Sequence, residues 1–112
     1  MDYRIEEILT KINVNLSQKL TAKNLAEFVS LSTSRFQHLF IQEVGTGIVK
    51  YIKELRLQKA CELLETTNLN VQEIRVIIGT TDGTHFFRDF KEKFGSTPSE
   101  YRKNFTNSRN GG

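Results

Sequence analysis

The sequence is poor in the residues on which small enzymes and secreted scaffolds depend. It has one cysteine, one proline, no tryptophan and two histidines in 112 residues. A single thiol, Cys61, cannot form an internal disulfide, so a cystine-stapled fold is excluded. With only His38 and His85 beside it, no familiar structural zinc set can be assembled. There is no apolar run of about 18 residues, the length a membrane-spanning helix needs. The first residues carry Asp2, Glu6 and Glu7 without an apolar block, so no secretory leader is expected. A Gly-rich phosphate loop and a Cys/His pairing are also missing. The chain is therefore expected to be cytoplasmic, without a cofactor, and not an enzyme.

What is present is an ordinary balance for a globular protein, with 38% apolar and 26% charged residues. Sixteen basic against thirteen acidic side chains give a net charge of +3. Basic and acidic residues cancel in 1–31, so the whole excess lies in 32–112.

The chain is written twice. Phe36, Phe40, Gly45 and Tyr51 recur 50 residues later as Phe86, Phe90, Gly95 and Tyr101. Leu25 and Val29 recur 49 residues later as Ile74 and Ile78, so one residue has been added in a turn. Two copies are too few for a solenoid, and a duplicated helical unit is expected.

Each copy reads as two helices and a tight turn. Thr21 and Ser32 are placed to cap helices, with Leu20 and Leu31 as hydrophobic staples. Asn70 and Glu73 have the spacing of a capping box. The recognition-type helices are expected over about 33–43 and 83–93, stopping at Gly45 and Gly95. The second turn is expected at Gly79 to Asp82. Pro98 suits the first turn of a short closing helix. An opening helix over about 3–13 presents Ile5, Ile8, Leu9 and Ile12 as one stripe.

Between the copies the pattern predicts one long helix over 48–66. Ile48, Tyr51, Ile52 and Leu55 share a face in its first half. Leu57, Ala60, Cys61 and Leu64 share nearly the opposite face in its second half. A helix that buries opposite faces is held by two bodies. The expected fold class is all-α: two helix-turn-helix subdomains at 1–47 and 67–106, a connecting helix at 48–66, and a disordered tail at 107–112.

Three stretches, LAEFVSLSTSRFQHLF, RLQKACELL and GTTDGTHFFRDFKEKFGSTPSEYR, carry a family resemblance. Over about residues 5–105 the chain resembles the DNA-binding domain of the AraC/XylS regulators. Gly79, Asp82, Phe86, Phe90, Phe94, Gly95, Pro98, Tyr101 and Arg102 fit the signature. The resemblance implies sequence-specific binding of double-stranded DNA and transcription regulation, with two recognition helices in successive major grooves. Two positions depart from the pattern. Arg75 stands where Ala26 sits in the first unit, and Thr80 where the turn usually holds an apolar residue. Arg75 needs a partner, for which Glu73 and Asp89 are candidates, and the second unit is expected to be the looser one.

The helical wheel and the resemblance together nominate a reading surface. Phe36, Phe40, Phe86 and Phe90 face inward. Base contacts are expected from Ser34, Gln37 and His38, and from Thr84, His85 and Arg88. Glutamine can pair bidentately with adenine and arginine with guanine. Phosphate contacts are expected from Arg35, Thr46, Lys50, Lys53, Ser96, Thr97 and Lys103. No metal site is expected, and the chain is expected to be a monomer in the absence of DNA, with RNA polymerase as a possible second partner. The alternative reading is a helix-turn-helix-derived module that binds another regulator or polymerase instead of DNA.

Overall fold

A computed structural model describes residues 1–80 and 82–110. Among these residues are seven helices: α1 Tyr3–Val14, α2 Ala22–Phe28, α3 Thr33–Val44, α4 Ile48–Thr66, α5 Val71–Ile78, α6 Gly83–Phe94 and α7 Pro98–Asn110. Among the described residues there is no strand.

The chain divides into two compact units between Leu55 and Arg56, inside α4. The boundary thus falls within the connecting helix and not at its ends. The closing helix is longer than expected. The tail expected at 107–112 is helical as far as Asn110, with residues 107–109 exposed. Positions 111 and 112 lie outside the described residues, as does Thr81 of the second turn.

Local chemistry fixes where the helices start. The Thr21 hydroxyl accepts from the Asn24 N–H at 3.1 Å, and the Ser32 hydroxyl from the Arg35 N–H at 3.2 Å. Asn70 and Glu73 form a reciprocal capping box at 2.8 and 3.0 Å. Each bond satisfies an amide that the first turn leaves without a helical acceptor. Gly45 and Gly95 stop α3 and α6 in the left-handed conformation.

The first core gathers Ile5, Ile8 and Ile12 of α1, Leu25 and Ala26 of α2, Phe36 and Phe40 of α3, and Ile48 and Ile52 of α4. The second gathers Leu57, Ala60, Cys61 and Leu64 of α4, Ile74 and Ile78 of α5, and Phe86 and Phe90 of α6. The duplication extends to ring geometry. Tyr51 meets Phe40 edge-on at 5.5 Å and 75°, and Tyr101 meets Phe90 at 5.8 Å and 83°. Edge-to-face packing of this kind adds specificity to burial.

The α2–α3 and α5–α6 turns share one closure. Leu31 N–H donates to Ala26 O at 2.9 Å, and Thr80 N–H donates to Arg75 O at 3.0 Å. This six-residue closure needs a left-handed residue before it. The second unit supplies Gly79 at φ 79°, whereas the first supplies Ser30 at φ 59°.

Candidate nucleic-acid interface

In the first unit, burial of Phe36 and Phe40 sets the rotation of α3. Ser34, Gln37 and His38 consequently lie on its exposed side, with Arg35 beside them. The start of α4 brings Lys50 and Lys53 to the same place. Gln37, His38, Lys50 and Lys53 line one open cleft of about 670 Å³, with Ile41 and Val49 as its exposed apolar members. Candidate base readers and candidate phosphate holders therefore share a surface. Thr46, half-buried, lies in the short link between α3 and α4.

In the second unit, Phe86 and Phe90 are buried and Thr84, His85, Phe87, Arg88 and Lys91 are exposed on α6. Two of these side chains already have partners. Nδ1 of His85 lies 2.7 Å from an Asp82 carboxylate oxygen, and Arg88 Nε lies 3.5 Å from Asp89. Asp82 also caps α6 by accepting the His85 N–H at 3.2 Å. That backbone bond, the first of several contacts, holds the Asp82 carboxyl below the usual carboxylate range.

The phosphate candidates separate. Lys103 is exposed and Ser96 half-buried at the start of the α7 segment. Thr97 is different, because its N–H and its hydroxyl both donate to Glu100, at 3.0 and 2.8 Å. The Glu100 N–H donates back to the Thr97 hydroxyl at 3.3 Å. Thr97 is therefore committed to capping α7, next to a carboxylate that repels phosphate.

Arg75, for which Glu73 and Asp89 are the candidate partners, makes a hydrogen bond to a neutral neighbour. Its Nη1 donates to the Gln72 side-chain oxygen at 2.7 Å, while Glu73 is engaged in the capping box and Asp89 lies against Arg88. The guanidinium rests on Gly83, where a Cβ would come within 3.0 Å of Cζ. The missing side chain at Gly83 thus makes the room that Arg75 occupies.

Two residues that the repeat and the signature mark make polar contacts that periodicity does not show. The Arg102 guanidinium donates to the carbonyls of Leu64 and Thr67, both at 3.1 Å, and satisfies the C-terminal end of α4. The Tyr101 hydroxyl donates to Glu65, which also accepts from the Cys61 thiol at 3.7 Å. Burial pushes the Cys61 thiol up, which keeps it protonated. Among the described residues no cluster of metal-ligating side chains occurs, and no helix is long and apolar enough to cross a membrane.

Two helix-turn-helix units, each presenting a polar outer helix, define the class of the molecule. Residues 25–104 match the helix-turn-helix domain family, and the chain belongs to that family, in its AraC type. It is 33% identical over 103 residues to the arabinose operon regulatory protein of Escherichia coli K12, covering 91% of this chain and 35% of that protein. The DNA-binding domain of AdpA, solved with a target DNA, has the same fold. The TM-score is 0.90 at 23% identity, over 97% of this chain and 98% of that one. An AraC-type regulator from Chromobacterium violaceum superimposes at a TM-score of 0.79 with 31% identity, over 89% of each chain. The chain spans about a third of the length of the curated relatives it matches.

Proposed function

We propose that this chain binds double-stranded DNA in a sequence-specific manner, in the cytoplasm and as a monomer before binding, and so regulates transcription. The observation that carries the reading is the shared cleft of Gln37, His38, Lys50 and Lys53. Side chains able to recognise base edges stand beside cations able to hold the backbone. Its relatives, an operon regulator and an AraC-type regulator, point the same way. Ser34, Gln37 and His38 read bases from α3, and Thr84, His85 and Arg88 from α6. Arg35, Thr46, Lys50, Lys53, Ser96 and Lys103 contact phosphates.

Titration of a selected DNA site across salt concentrations tests this. Each phosphate contact releases counterions and contributes a log–log slope of about −0.9, and roughly five to ten contacts are expected. A slope near zero refutes DNA binding.

A protein contact is the second reading. Tyr3, Val14 and Phe28 form an exposed apolar patch on the α1–α2 side, with the Lys11 ammonium 4.3 Å above the Phe28 ring. Polymerase or another regulator would meet such a patch, and it lies on elements other than the recognition helix.

A further inference from the structure

The Asp82 carboxylate makes two bonds with one residue. One oxygen accepts the backbone N–H of His85 at 3.2 Å, and the other lies 2.7 Å from Nδ1 of the His85 ring. The first bond is the N-cap of α6, so the backbone fixes the carboxylate in place. An ionised carboxylate can only accept, so the second bond requires the proton on Nδ1. In the neutral imidazole the other nitrogen, Nε2, then carries a lone pair and no proton. The ring is well exposed, and Nε2 points away from Asp82.

We propose that Asp82 is a positioning residue for base recognition: it sets the His85 tautomer so that Nε2 accepts a hydrogen bond from a base amino group, adenine N6 or cytosine N4, in the major groove. The proposal rests on the reading of His85 as a base contact. It goes further by naming which half of the donor–acceptor code His85 reads. The first unit has no such device at the matching positions. There Ser32 caps α3 through the Arg35 N–H, and arginine offers no acceptor.

Asp82→Asn separates capping from tautomer control, because asparagine caps as well as aspartate. Its oxygen keeps the His85 N–H, and its amide nitrogen then donates to Nδ1, which moves the ring proton to Nε2. Nitrogen NMR of the free wild-type chain, taken to alkaline pH until the ring carries a single proton, should show that proton on Nδ1. Asp82→Asn should show Nε2 protonated instead. In selections from random DNA, wild type should favour an amino base at the contacted position by about tenfold. Asp82→Asn should exchange it for a keto base on the same strand, and His85→Ala should lose discrimination at that position. A wild-type ring protonated on Nε2, or a proton that Asp82→Asn does not move, overturns the proposal without any DNA. A moved proton with an unchanged base preference also overturns it. Unchanged preference at every position in His85→Ala shows instead that the underlying base contact is wrong.

Discussion

Exchanging the left-handed residues of the two turns is the sharpest test of how this duplicated fold is built. Both turns close through the same hydrogen bonds, but one uses Ser30 at φ 59° and the other Gly79 at φ 79°. A residue with a Cβ in this region costs about 1–2 kcal/mol relative to its preferred backbone. Glycine avoids that strain but loses more backbone freedom on folding, about 0.5–1 kcal/mol. Ser30 is exposed, so its removal sacrifices no core contact. Ser30→Gly should therefore stabilise the first unit by about 0.5–1 kcal/mol, and Gly79→Ser should weaken the second by a similar amount. Native-state hydrogen exchange reads each unit separately, through the amides of Phe36 and Phe40 and of Phe86 and Phe90. Exchange should slow two- to fivefold in the first case, by the usual conversion of about 1.4 kcal/mol per factor of ten. Faster exchange in Ser30→Gly would refute the account, because Ser30 would then be contributing something its backbone angle conceals.

Other perturbations test other contacts. Gly83→Ala should stabilise α6 by about 0.5–1 kcal/mol in an Arg75→Ala background and by less beside Arg75, because the guanidinium occupies the space of the new methyl. Equal effects in both backgrounds would show that the contact carries no energy. Hydrogen bonds to Cys61 and Glu65, with burial, hold the Tyr101 phenol above the usual tyrosine range. A raised native value gives stability that is complete below about pH 10 and is lost as the pH rises further. Tyr101→Phe should flatten that alkaline decline, and at neutral pH should cost about 1 kcal/mol by leaving Glu65 with only the weak Cys61 thiol donor of the two described. Thermal melts from about pH 7 to pH 11 check both. Gln37→Ala and Arg88→Ala should each weaken the preferred DNA site by about 1–3 kcal/mol and relax base choice locally. Lys53→Ala should weaken all sequences alike, and an Arg88→Ala variant that does the same would make Arg88 a phosphate clamp.

Local grammar was legible in the sequence; contacts across the fold were not. The repeat of Phe36 and Phe40 as Phe86 and Phe90 placed both outer helices and their buried faces. Thr21, Ser32 and the Asn70–Glu73 pair marked three helix starts, because a cap bonds amides only two or three residues away. The opposite faces of α4 followed from its step of about 100° per residue. Arg102 and Leu64 are 38 positions apart, and Tyr101 and Glu65 are 36 apart, distances at which no periodicity speaks. The Gln72–Arg75 bond is local, but charge alone points to acidic partners and not to a neutral amide, which can nonetheless accept from a guanidinium. Thr97 looked like a phosphate ligand until Glu100, three residues on, took both its donors. In the candidate site, the wheel gave exposure correctly for five of the six candidate positions and set His85, which is also exposed, at the flank. It could not show that His85 and Arg88 already have carboxylate neighbours.

The continuity of α4 also bears on how the chain folds. Starting a helix is unfavourable by a factor of about a thousand, whereas each added residue is nearly neutral. The segments on either side of the unit boundary, 48–55 and 56–66, are 8 and 11 residues long. Each is shorter than the roughly 12–15 residues at which an isolated helix begins to hold in water. A turn trapped under Ile48 and Ile52, or under Leu57 and Leu64, becomes the nucleus from which the other segment grows. The duplicated halves thereby share a single initiation event, and whichever core condenses first hands the second a helix already begun.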